Sequence, residues 1–194
     1  MVKPRSVCVY CGSSDRGPEP HREAAVKLGQ ALAREGVELV FGGGRVGLMG
    51  VIADAVLSGG GRATGVIPEH LLRAEVGHGR VTELIIVPNM HERKETMFRR
   101  ADAFIVLPGG PGTLDETFEM LTWRQLQLHD KPIVIVDLEG YWQPLFALID
   151  RMIATGYARE SFRDLFIVVR TIAEALPAVL AAPPPAIPAF TDKI

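Results

Sequence analysis

The segment Leu107-Pro108-Gly109-Gly110-Pro111-Gly112-Thr113-Leu114-Asp115-Glu116 sets two carboxylates directly after a glycine-rich turn. Glycines let backbone approach an anion closely, and the free N–H groups and positive dipole end of a following helix then favour phosphate. In the first turn of such a helix, Asp115 reads as a capping residue. Glu116 lies three residues after Thr113, so the two share a helix face directed at the anion site. A carboxylate there has its charged form stabilised, which suits a base, or an anion facing a developing cation, and argues against a general acid. The second chemical stretch is Met90-His91-Glu92-Arg93-Lys94-Glu95-Thr96-Met97-Phe98-Arg99-Arg100. Met90, Arg93 and Met97 fall on one helix face by i, i+3, i+7 spacing, which puts an arginine on an apolar or ligand-facing stripe. Glu95, Arg99 and Arg100 read as a solvated face, and His91 as a surface or partner-bonded histidine.

These residues need a frame that brings them together, and the chain supplies an alternation. Short β-branched runs at 7–11, 38–41, 62–67, 84–87, 103–107, 133–136 and 166–169 are separated by helical patterns at 21–35, 48–58, 90–100, 114–128, 142–155 and 171–180. Such alternation predicts an α/β fold, a mostly parallel sheet of about seven strands with helices on both faces. The runs Phe104-Ile105-Val106-Leu107 and Ile133-Val134-Ile135-Val136 are continuously apolar, as strands covered on both faces should be. Residues 1–182 read as one nucleotide-binding domain and 183–194 as a proline-rich extended tail. Ligands of such sheets bind outside the carboxyl ends of the strands. Three glycine loops follow strands there: Gly12-Ser13-Ser14, the run from Gly42 to Gly50, and Pro108 to Thr113. Gly42, Gly44 and Gly47 satisfy GxGxxG, but after the second strand, and Arg62 stands where an acidic ribose ligand would be expected, so a nicotinamide cofactor is disfavoured. No loop ends in GK[ST], and a single phosphate fits better than a triphosphate.

The 194 residues are 47% hydrophobic and 23% charged, enough for one full core, and the formal net charge of -2 supplies no basic field for nucleic acid. No apolar run approaches the roughly 18 residues of a membrane span, and a cytoplasmic protein without membrane contact is expected. Cys8-Val9-Tyr10-Cys11 has the thioredoxin spacing, but on a strand residues i and i+3 point to opposite faces, so both cysteines read as structural. The histidines at 21, 70, 78, 91 and 129 show no paired-ligand spacing; neither a protein-held metal nor a cofactor is expected.

The stretches Pro108 to Glu116 and Met90 to Met97 together resemble the PGGxGTxxE and RKxxM signatures of the LOG (Lonely Guy) family, long mislabelled lysine decarboxylases. Cys11-Gly12-Ser13-Ser14 and Gly42-Gly43-Gly44 with Gly47-Leu48-Met49-Gly50 resemble its earlier loops, so four motifs stand in the family's order between about Val7 and Leu180. Pro111, Leu114 and Asp115 occupy the variable positions. The resemblance implies a Rossmann-like doubly wound homodimer with active sites near the subunit interface. It implies hydrolysis of the N-glycosidic bond of an N6-modified adenosine 5′-monophosphate to free base and ribose 5-phosphate. Arg93 and Glu116 carry over as the catalytic pair, with Ser13, Ser14, Gly43, Met90, Lys94, Gly109, Gly110, Gly112 and Thr113 around the nucleotide. Cleavage passes through an oxocarbenium-like cation, which an ionised Glu116 would stabilise, whereas Arg93 holds its proton and would position charge. Trp123 and Trp142 are candidates for the dimer interface. Two readings compete. A pyridoxal-phosphate decarboxylase needs a Schiff-base lysine, and between Lys27 and Lys131 the chain has only Lys94, inside the arginine motif. A non-catalytic nucleotide or molybdenum-cofactor carrier would use the same glycine loops, but has no evident need for a carboxylate beside a phosphate.

Overall fold

The computed structural model describes residues 5–72 and 77–182; the segment 183–194, expected as an extended tail, lies outside the described residues. The seven expected strands are β1 (Ser6–Tyr10), β2 (Glu38–Phe41), β3 (Ala63–Pro68), β4 (Glu83–Val87), β5 (Ala103–Val106), β6 (Ile133–Val136) and β7 (Ile167–Val169). They form one sheet in the order β4-β3-β2-β1-β5-β6-β7, with every neighbouring pair parallel. Helices α1 (Glu19–Glu35), α2 (Gly47–Ser58) and α7 (Ile172–Ala181) cover one face, while α4 (Met90–Arg100), α5 (Pro111–Gln125) and α6 (Gln143–Ala154) cover the other; α3 (Glu69–Leu71) is a single turn. Every residue of β1, β5 and β6 is buried, as their unbroken apolar runs require. Cys11 packs in the first core layer and Cys8 in the second, on opposite sides of the sheet, and both are free thiols.

The strand order locates the site. From β1 the chain builds outward through β2, β3 and β4, then returns to place β5 on the other side of β1. The loops after β1 and β5 therefore diverge and leave a crevice between them, the switch point of an open α/β sheet. The return crossover is α4, which lies across β1, β2 and β3. That path is what lets a residue on α4 reach the carboxyl ends of strands distant in sequence.

Two expectations are corrected. Helix α5 begins at Pro111 with Gly110 as its N-cap, three residues before the expected start, so Asp115 and Glu116 lie beyond the first turn and neither is a cap. Proline suits the first helical position, where its missing N–H is not needed and its fixed φ is already helical. Trp142 is 3% exposed and packs in the core under α6, and Trp123 meets Phe98 edge-on at 5.1 Å. Trp142 thus offers no surface to a partner, because its indole fills the layer between α6 and the sheet.

His129 closes that layer near α5. Its Nε2 donates to the Met120 carbonyl at 3.0 Å and its Nδ1 accepts from the Lys131 N–H at 3.1 Å, a pairing that only the neutral ring can make. Burial, chiefly, pushes its pKa down to about 4. Between pH 6.5 and 4 the unfolded chain binds a proton that the native state excludes, so stability is intact above pH 6.5 and falls as pH drops through this window. From the size of the shift, the loss is about 3 kcal/mol. Urea unfolding at pH 7 and pH 4.5 should show this fall, and His129→Gln should flatten it.

Candidate active site

The three glycine loops are laced through one residue. The Gly12 N–H donates to the Pro108 carbonyl at 3.1 Å, and the Gly12 carbonyl accepts from the Leu48 N–H at 2.9 Å. Asp15 adds a tie, its carboxylate accepting from the Gly47 N–H at 2.9 Å. These contacts consume N–H groups at the start of α2. The start of α5 is left open: among the described residues the N–H groups of Gly110, Gly112 and Thr113 find no acceptor. An open helix N-terminus with several unmatched donors suits an anion by geometry and by dipole.

Arg93 projects from α4 into the crevice and is 6% exposed. Its Nη2 donates to the Gly42 carbonyl at 3.0 Å and its Nε to the Val66 carbonyl at 3.2 Å, while Nη1 lies 3.7 Å from the Met90 sulfur. The guanidinium is thereby fixed by the ends of β2 and β3 with donors to spare. Close approach dictates the residue at 42, since a Cβ there would overlap the guanidinium. Glu116 stands across the same cavity on α5, 9% exposed, one turn behind Thr113. Ser13, Arg93, Gly110, Gly112, Thr113 and Glu116 all line this cavity, whose volume is about 160 Å³. Its floor includes Cys11, whose thiol is pushed well up first by burial and then by the Glu116 charge, so it stays protonated.

The other expected positions are placed around this cavity without lining it. Ser14 is exposed on the loop after β1. Gly43 turns its carbonyl to the His78 N–H at 3.0 Å, and Met90 supports Arg93. Gly109 packs so tightly that a Cβ would collide with the Thr113 hydroxyl and come within 2.9 Å of the Gly12 nitrogen. Lys94 turns away and bridges α4 to α5, its ammonium 3.2 Å from both Asp115 and Glu119. Burial works against that charge, but the hydrogen bonds to Asp115 and Glu119 outweigh it and raise the lysine above its usual range. Asp115, expected as a cap, instead fixes the distance between the two helices. Sequence reasoning missed the carbonyls that hold Arg93, the Asp15 tie, and Tyr141, whose hydroxyl donates to the Gly109 carbonyl at 2.7 Å. Only Tyr141 had a local sign, the Gly140-Tyr141 turn after β6, which ends a strand beside β5.

Among the described residues no group of three or more His, Cys, Asp or Glu could hold a metal ion, and no helix is long and apolar enough to cross a membrane. The fold and site define a Rossmann-like α/β protein whose switch-point crevice is suited to an anion and carries a buried arginine and a buried carboxylate. Residues 49–179 match a family described as possible lysine decarboxylase. A rice protein named probable cytokinin riboside 5′-monophosphate phosphoribohydrolase LOGL1 is 47% identical over 170 residues, 88% of this chain and 76% of its own length. Arabidopsis thaliana cytokinin riboside 5′-monophosphate phosphoribohydrolase LOG1 is 42% identical over 163 residues, 84% of this chain and 76% of its own. The chain belongs to the LOG family. In fold it also matches the molybdenum cofactor carrier protein of Chlamydomonas reinhardtii, with a TM-score of 0.67 at 21% identity over 92% of this chain and 96% of that one.

Proposed function

We propose that the protein hydrolyses the N-glycosidic bond of adenosine 5′-monophosphates, N6-modified ones included, to free base and ribose 5-phosphate. The observation that carries this reading is the burial of Arg93 and Glu116 in one cavity beside the unmatched N–H groups of Gly110, Gly112 and Thr113. In this reading the phosphate sits on those N–H groups, with Ser13 and Ser14 supplying hydroxyls from the facing loop. The ribose then lies over the cavity, next to Glu116. As the bond to the base lengthens, positive charge grows on the ribose, and a carboxylate in a dry wall stabilises it far more than one in water. The same carboxylate orients the attacking water. Arg93 supplies a fixed positive charge to the anionic parts of the substrate. Lys94, with Asp115 and Glu119, keeps α4 and α5 in register, and so holds Arg93 opposite Glu116.

The decarboxylase description fits these residues poorly. A Schiff-base lysine must give up its proton to attack a carbonyl, and Lys94 is held charged by two carboxylates. A carrier would gain nothing from Glu116, whose charge repels an anion. We further infer a homodimer, in the cytoplasm where nucleotides are held. The cavity of about 160 Å³ falls below the roughly 300–1,000 Å³ usual for small-molecule sites, so a second copy would complete the wall around the base. Light scattering at working concentration should give twice the chain mass of 21.1 kDa; a monomer that is fully active would refute the shared site.

The reading as a whole is tested by incubating the protein with AMP and with N6-isopentenyladenosine monophosphate and following free base by chromatography. Base and ribose 5-phosphate should appear in equal amounts from at least one of them. If both nucleotides bound and remained intact, the carrier reading would replace this one.

A further inference from the structure

The loop that meets the phosphate in the proposed reaction has a mechanical weakness. Gly109 is required because a side chain there would strike Thr113 and Gly12, yet a Gly109-Gly110 pair is the most freely rotating backbone a chain can contain. Nothing within the loop fixes the plane of the peptide between them. Its carbonyl oxygen is held from outside, by the Tyr141 hydroxyl at 2.7 Å. In a planar trans peptide the C=O and N–H point in opposite directions, so holding the Gly109 carbonyl also fixes the direction of the Gly110 N–H. That N–H is one of the three without an acceptor, and Gly110 lines the cavity.

Tyr141 is itself built into place. The two residues before it take left-handed backbone, Glu139 at φ 52° and Gly140 at φ 76°, and a glutamate in that region is strained. Asp137, buried at the end of β6, accepts from the Trp142 N–H at 2.7 Å and from the Gln143 amide, which fixes the chain just after the tyrosine. The ring stands edge-on to buried His21, 5.5 Å between centroids, and to Trp142 at 4.8 Å. Even so the residue remains 43% exposed, so it contributes little to the core. A strained turn, a buried carboxylate anchor and two ring contacts thus hold one hydroxyl against one glycine carbonyl.

We propose that Tyr141 is a positioning residue that locks the Gly109-Gly110 peptide and so sets the affinity of the site for the 5′-phosphate, distinguishing phosphorylated substrates from nucleosides. The inference rests on the phosphate being bound at the start of α5, as in the proposed function, but its test does not require turnover. Calorimetric titration with ribose 5-phosphate and with adenosine compares the wild type and Tyr141→Phe, which keeps the ring and removes only the hydroxyl. Ribose 5-phosphate should bind about tenfold more weakly to the variant, because the unlocked peptide presents the Gly110 N–H in the binding direction only part of the time, with adenosine binding unchanged and the thermal midpoint close to wild type. If the enzyme turns over AMP, KM should rise by a similar factor while kcat stays within about threefold. Equal ribose 5-phosphate affinity in the two proteins, or an equal loss for adenosine, would overturn the proposal. Wild-type binding of ribose 5-phosphate that drops in the variant, without any AMP cleavage, would support the tyrosine's role while rejecting the hydrolase.

Discussion

Glu116→Gln should lower kcat for AMP, or for whichever adenylate the enzyme prefers, by about 10³-fold, while the dissociation constant for the nucleotide changes less than threefold. Glutamine keeps the shape of the side chain and its place on α5, and removes only the charge. Single preorganised groups that face charge developing in a transition state contribute about 10²–10³ to turnover. Glu116 belongs at the upper end because it is 9% exposed, where the local dielectric is low. Substrate affinity should hold or improve, since an anionic substrate no longer meets a carboxylate. Glutamine keeps the volume of the side chain in its place on α5, so the melting temperature measured beside kcat separates a lost rate from unfolding. An unchanged kcat would remove Glu116 from the mechanism.

Arg93→Ala should abolish detectable base release and also destabilise the fold. The guanidinium satisfies two carbonyls, those of Gly42 and Val66, and its removal leaves buried acceptors that each cost about 1–3 kcal/mol when unmatched. Since that variant mixes two effects, Arg93→Lys is the sharper probe. Lysine keeps the charge, but its compact ammonium cannot reproduce a planar fork that spans the ends of two strands and still offers donors to a ligand. Its turnover should fall at least about 10²-fold with the melting temperature closer to wild type than that of Arg93→Ala. Near-normal kcat in Arg93→Lys would show that charge alone suffices and that the fork geometry is irrelevant. Measured together, the glutamine and lysine variants separate a defect in rate from one in assembly of the site.

The layered α/β architecture, the strand-end loops and the two stretches that carry the chemistry are legible in the order of residues alone. The reason is local. Strand runs such as Ile133-Val134-Ile135-Val136 and helix faces such as Met90, Arg93 and Met97 are periodic over a few residues, and glycine clusters report backbone demands at their own positions. The same reasoning placed Cys8 and Cys11 on opposite faces, because side-chain alternation along a strand needs no partner to be read.

What lay beyond it was decided by contacts between segments far apart in the chain. Proline at 111 could equally end a loop or open a helix; in the fold α5 packs on β1 and starts at Pro111, which takes Asp115 out of the cap and into its pair with Lys94. Arg93 is held by carbonyls 51 and 27 residues away, and Gly109 by a tyrosine 32 residues on. No periodicity encodes such partners, since a backbone carbonyl has no residue identity and a tyrosine after a strand is an ordinary core residue until the sheet order puts β6 beside β5. The chemistry of the site was thus written in side chains that local pattern could find, and its rigidity in tertiary hydrogen bonds that only the folded sheet brings within reach.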